Sequence, residues 1–270
     1  MLLAWLTDIH LNFLQAPEIE AFCESVGRCP ADAILLSGDV SDAHDIDERL
    51  AQLEAAVARP IYFVLGNHDY YGGSIREVRA AVRRLCEARP NLHYLTDAPP
   101  IELVPGVGVV GHDGWADARL GDYERSFVMM NDYKLIAELA GMNKAERWPV
   151  LRALGDEAAA ELRRSLLPAL ERFSHLIVAT HLPPLREACW HEGRISDDEW
   201  APHFTCKAIG DMLLEVLPDY PHRRVDVYCG HTHSPGVTRP LANLTIHTGG
   251  SEYGRPEIQQ LLELTASEAS

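Results

Sequence analysis

The chain has 270 residues, 47% of them hydrophobic and 24% charged, an ordinary globular composition with enough apolar material for a substantial core. Its 24 Lys and Arg against 40 Asp and Glu leave a formal charge of −16. That argues against broad electrostatic binding to nucleic acid, because neutralising phosphates needs clustered Lys and Arg. No run of about 18 apolar residues is present to span a membrane. The start, Met1-Leu2-Leu3-Ala4-Trp5-Leu6-Thr7-Asp8, lacks the charged region and cleavage site of a secretory signal. The six cysteines include no C-x-x-C pair. Packed thiols in a cytoplasmic protein are therefore the expectation.

Residues 2–6 are apolar and read as a central strand buried on both faces, ending in Asp8-Ile9-His10. In an extended segment the side chains at i and i+2 point the same way, so Asp8 and His10 are expected to converge. A hard oxygen with an imidazole suits Mn, Fe, Zn or similar cations. Residues 17–26 have helical spacing, with Pro17 in the first turn and Ile19, Phe22 and Val26 on one face. A second apolar strand, Ala33 to Ser37, ends in Gly38-Asp39-Val40-Ser41-Asp42. A helix over about 46–58 and a strand over 61–65 follow, the strand ending in Gly66-Asn67-His68-Asp69. Ser74-Ile75-Arg76-Glu77 is a capping-box sequence opening a helix to about Ala88. Strand and helix thus alternate three times, as in an α/β sheet with crossovers.

Residues 101–110 read as a hairpin about Pro105-Gly106, ending in Gly111-His112-Asp113-Gly114-Trp115. From 116 to 154 the pattern is polar and irregular, with one short helix over 132–140. A helix from Asp156 to about Phe173, bent near Pro168, leads to the strand His175 to Ala179, which ends in Thr180-His181. Residues 185–204 are again irregular. A helix over about 206–217 precedes the strand Val225 to Cys229, which ends in Gly230-His231-Thr232-His233. The remainder, to about Leu264, is expected to supply antiparallel strands that finish a second sheet. The whole is read as a single domain over 1–270, with insertions covering the active site at about 112–154 and 185–204.

Any one polar strand end has an ordinary reading: Asp caps a helix, and a lone His packs or faces solvent. Five in succession, each after an apolar strand, do not. The blocks D-x-H, G-D-x-x-D, G-N-H-D, H and G-H-x-H, in that order from residue 8 to residue 233, resemble the calcineurin-like metallophosphoesterase superfamily. The resemblance implies a four-layer α/β sandwich, two central mixed β-sheets flanked by helices, with two metals at the sheet edge. Carried over block by block, Asp8, His10, Asp39 and His233 would hold one divalent ion. Asp39, Asn67, His181 and His231 would hold the other, with Asp39 bridging. With two aspartates and otherwise neutral ligands, two dications and a hydroxide keep about one positive charge, which suits a phosphate despite the acidic chain.

The expected reaction is hydrolysis of a phosphate ester of a small molecule by a metal-bridging hydroxide. His68 follows a ligand Asn without being one, and is assigned as substrate contact and general acid. Asp42 is the candidate to orient it and Asp69 the second choice, against the reading that both only cap the next helix. Protein Ser/Thr phosphatases of the superfamily have Arg-Gly after G-D-x-x-D and Glu after G-N-H, where this chain has Ala43-His44 and Asp69, so a protein phosphatase is disfavoured. The blocks look more like the cyclic-nucleotide phosphodiesterase branch and its small-molecule relatives. A nuclease and a non-catalytic protein-binding module on the same fold are the alternatives. Tyr70, Tyr71, His112 and Trp115 are read as packing under the first insertion rather than as a ring-binding surface.

Overall fold

In a computed structural model, which describes residues 1–266, the apolar segments form two large sheets face to face. The first contains β1 (Leu2–Leu6), β2 (Ala33–Ser37), β3 (Ile61–Val64) and β4 (Leu92–Tyr94), all parallel. Helices α1 (Ala16–Arg28), α2 (Ile46–Val57) and α3 (Ile75–Ala88) are the crossovers. Alternation along each strand divides its side chains between two cores. Ala4, Leu6, Ile34, Leu36, Ile61 and Phe63 meet the helices, while Leu3, Trp5, Leu35, Tyr62 and Val64 face the other sheet.

The second sheet is built on β6 (Val107–His112), β7 (His175–Thr180) and β10 (Arg224–Cys229), again parallel. β5 (Ile101–Val104) pairs antiparallel with β6, confirming the hairpin. β12 (Leu244–Thr248) lies parallel to β10, and β11 (Gly236–Leu241) antiparallel to β12 at the edge. Val109, Ile177, Ala179 and Tyr228 point into the inter-sheet core. Leu176, Val178, Val225 and Val227 point out to α5 (Lys144–Arg172) and α7 (Lys207–Val216). The result is helices, sheet, sheet and helices: the four layers expected. Two short helices, α4 (Asp132–Leu135) and α6 (Ala201–Phe204), and a small hairpin of β8 (Trp190–His191) and β9 (Arg194–Ile195) lie outside them.

Three local expectations are corrected. The last strand, β13 (Gln260–Glu263), does not join the second sheet; it pairs antiparallel with β1, Leu262 opposite Leu3. The N-terminal ammonium and Leu264 N–H close this edge with hydrogen bonds of 2.9 and 2.8 Å. The helix expected from Asp156 starts at Lys144 and runs 29 residues through Pro149 and Pro168. Its start is a capping box, Asn143 with Glu146, so 144–154 belongs to the outer layer. The helix expected over 132–140 is one turn.

Candidate metal centre

Both sheets end at the same edge, and their C-terminal loops interlock there. Asp8 N–H donates to Gly38 C=O, His10 N–H to Asp39 C=O, Gly230 N–H to His181 C=O, and His231 N–H to the Asp8 carboxylate. Strand-end residues from the first sheet (Asp8, His10, Asp39, Asn67) thereby meet those from the second (His181, His231, His233). Two groups of side chains gather around shared points: Asp8, His10, Asp39 and His233, and Asp39, His181 and His231. Asp39 is common to both groups, and Asn67, which the resemblance added to the second, lies beside it with Oδ1 3.0 Å from His181 Nε2 and 2.8 Å from His231 Nδ1.

The convergence does not come from extended backbone, as the i, i+2 argument supposed. Asp8, His10, Asp39, His231 and His233 all lie in the left-handed region, with φ of 49, 41, 55, 71 and 55°. A non-glycine residue there costs about 1–3 kcal/mol, and such strain collects at functional sites. The chain turns sharply after each strand and throws the next side chain back across the edge. Close packing also demands glycine: a Cβ at Gly66 would strike the Asp39 carboxylate, and one at Gly230 would strike Asp8 and Thr7.

The polar chemistry of the cluster calls for cations. His181 Nδ1 donates to Ser37 C=O at 2.9 Å, and His231 Nε2 donates to His203 C=O at 3.2 Å. Their other nitrogens then face Asn67 Oδ1 at 3.0 and 2.8 Å. Asn67 cannot turn to meet them with its amino group, because that group is held by Asp132 and Tyr71. His231, which burial keeps neutral, therefore turns an acceptor, Nδ1, on another acceptor, Asn67 Oδ1. Asp39 Oδ2 and His10 Nδ1 are buried with no hydrogen-bond partner among the described residues, and His10 Nε2 lies 3.0 Å from His233 Nε2. Burial would raise Asp8, but the His233 hydrogen bond and the His181 charge bring it down to about 2. Burial likewise would lower His181, but the Asp39 charge pushes it up to about 10. Buried carboxylates are drawing positive charge to the spot, the demand a divalent ion answers. Side chains of oxygen and imidazole nitrogen, nearly all buried, fit such ions.

His68 belongs to neither group. Its N–H donates to Asp39 Oδ1 at 2.9 Å, its ring stands 4.6 Å from that of His10 and 4.3 Å from that of Tyr71, and it lines a cavity of about 250 Å³ with Trp200, Phe204 and Tyr253. The orienting contact expected from Asp42 is not made. The Asp42 carboxylate accepts from His44 N–H at 3.0 Å and its carbonyl from Ile46 N–H, so it serves the turn into α2. Asp69 is committed as well: it accepts from the N–H groups of Gly66, Asp39, Val40 and Ser41 and thus ties two ligand loops together. Tyr70 and Trp115 are packing residues, and His112 pairs with Glu161 at 3.1 Å. Tyr71 departs from its packing reading, since its hydroxyl and ring touch the site. Sequence reasoning missed Asp132, which sits in an irregular polar stretch without a local signal. It also passed over Asp113, although a carboxylate just past a strand was the signal used elsewhere.

Comparison with known proteins agrees with this geometry. A family model described as calcineurin-like phosphoesterase matches residues 1–235. Among solved structures, the phosphopantetheinyl hydrolase of Mycobacterium tuberculosis is similar with a TM-score of 0.62 at 18% identity, covering 92% of this chain and 89% of that one. A dimetal phosphatase from Danio rerio is similar with a TM-score of 0.52 at 14% identity, covering 93% and 87%. At such identities the likeness is one of fold. No curated protein matches the sequence.

Proposed function

The chain belongs to the calcineurin-like phosphoesterases, and we propose that it hydrolyses a phosphate ester of a small molecule at a centre of two divalent ions. Asp8, His10, Asp39 and His233 would hold one ion, Asp39, Asn67, His181 and His231 the other. The observation that carries the reading is the gathering of two side-chain groups, Asp8 with His10, Asp39 and His233, and Asp39 with His181 and His231, around points that share the buried Asp39. When bound, a pair of divalent ions supplies a hydroxide nucleophile at neutral pH and neutralises charge on the phosphate oxygens.

The protein's own residues do the rest. Asp39 divides its carboxylate: Oδ1 accepts from the His68 backbone N–H, and Oδ2, 3.3 Å from His181 Nε2, would be available to hold an ion. His68, braced by the Tyr71 ring, faces the cavity where an ester must lie and gives a proton to the leaving oxygen. The cavity of about 250 Å³ opens beside a cleft of about 440 Å³ that shares His68, Trp200 and Tyr253, room for a small ester. The acidic chain supports a small-molecule substrate rather than nucleic acid. A cytoplasmic location is part of the same proposal.

The test is hydrolysis of bis(p-nitrophenyl) phosphate by the ion-free protein with and without added Mn²⁺, then a panel of monoesters, cyclic nucleotides and single-stranded DNA. Mn²⁺-dependent turnover with a preference for small esters is expected. No turnover with any of them would favour the non-catalytic module. The likeness to a phosphopantetheinyl hydrolase makes a phosphopantetheinyl ester a sensible member of the panel.

A further inference from the structure

We infer that Asp132 and Tyr71 are positioning residues that hold the Asn67 amide with its oxygen toward the ion, so that the segment after β6 is a working part of the metal centre. The inference rests on the dinuclear reading above. An asparagine amide has two faces of opposite use: Oδ1 can ligate a cation and Nδ2 cannot. What decides which one enters the site is the partner on the far side. Here Asn67 Nδ2 donates to Asp132 Oδ1 at 2.9 Å and to Tyr71 Oη at 3.1 Å. Tyr71 Oη in turn donates to the same Asp132 oxygen at 2.6 Å. Asp132 is 4% exposed, so this carboxylate is taken out of water to be spent on these two donors. A carboxylate has no donor of its own when ionised. It can therefore accept only the Nδ2 side, and the amide is locked.

Asp132 is delivered by a clip between the segment and the chain just after the G-N-H-D block. Gly72 N–H donates to Leu135 C=O and Ala137 N–H to Gly73 C=O, both at 2.9 Å. The turn of α4 is thus pinned beside Tyr71, and the carboxylate, 65 residues away in sequence, arrives at Asn67.

The experiment is titration of the ion-free protein with Mn²⁺ by calorimetry, together with KM and kcat on bis(p-nitrophenyl) phosphate. The wild-type chain should bind two ions. Asp132→Ala should weaken one of them about 10–100-fold, the range for removing a partner of a metal ligand, and leave the other unchanged. Asp132→Asn, which keeps an oxygen to accept from Asn67 and Tyr71, should restore most of the affinity. Tyr71→Phe should weaken the same ion by less and guards against misfolding of Asp132→Ala. Two ions at wild-type affinity in both Asp132→Ala and Tyr71→Phe would overturn the inference. So would an Asp132→Asn variant as weak as Asp132→Ala, since orientation would then not be the cause. A wild-type chain that binds a single ion would instead sink the dinuclear reading and this inference with it.

Discussion

In the proposed reaction, His68 separates coordination from catalysis at the scale of one residue. It follows the ligand Asn67 directly and shares its loop, yet it touches Asp39 only through its backbone N–H. His68→Ala is therefore expected to keep both ions and lose about 10²–10⁴-fold in turnover. The loss should be larger for an alkyl ester than for a p-nitrophenyl ester, because p-nitrophenolate leaves without a proton. Paired rate measurements on the two leaving groups check this; equal losses would mean that the imidazole only binds phosphate. Asp39 is the opposite case. Its side chain belongs to both groups of ligands, so Asp39→Asn should reduce metal content at both sites and abolish turnover, whereas Asn67→Ala should empty mainly one. Metal analysis of the purified variants decides.

At the scale of elements, the loop after β6 is held by a buried ion pair. Asp113 accepts from Arg79 Nε at 2.9 Å, from the Tyr70 and Tyr94 hydroxyls, and from Leu65 N–H at 2.8 Å, joining α3, β4 and the end of β3 to the second sheet. The group gives 1% and 9% exposure to Asp113 and Arg79. Burial would raise the Asp113 pKa, but the Arg79 charge and the hydrogen bonds hold it below the usual carboxylate value. A depressed carboxylate contributes stability that is complete above its unfolded pKa and is lost as pH falls through the folded one. Asp113→Asn should thus destabilise near neutrality by less than the about 3–5 kcal/mol of a wholly unpaired buried charge, since Arg79 keeps the half-exposed Glu157 at 3.1 Å. The gap between variant and wild type should narrow below about pH 4, where an unperturbed aspartate protonates. Urea unfolding at neutral and acid pH measures both.

At the scale of the molecule, the proposed centre would tie stability to bound ions. Five residues of the proposed centre sit at positive φ, and buried polar atoms such as His10 Nδ1 lack partners among the described residues, which bound ions would supply. Mn²⁺ should raise the melting temperature, by about 2.7 kcal/mol of stabilisation per site at a free concentration a hundredfold above Kd. A chelator should reverse the shift. The Asp39→Asn protein should show little shift in either direction, and thermal melts with and without Mn²⁺ are the check.

The sequence by itself determined the alternation of strand and helix and the five polar strand ends. These are local facts: an apolar run makes a buried strand, and the residue after it lies at the edge whatever the rest of the chain does. The tertiary structure alone decided the partners. β13 chose the first sheet because the free side of β1 was open to it, a choice between two edges that a strand pattern does not encode. Asp42 turned to its own loop and accepts from His44 N–H, while Asp69 tied the loops after β2 and β3 and Asp132, without any local mark, came to hold Asn67. Those roles depend on which donors lie within about 3 Å after folding, and for Asp132 the donor is 65 residues away. The left-handed turns that aim the ligands belong to the same class, because they are imposed by hydrogen bonds between loops of two sheets.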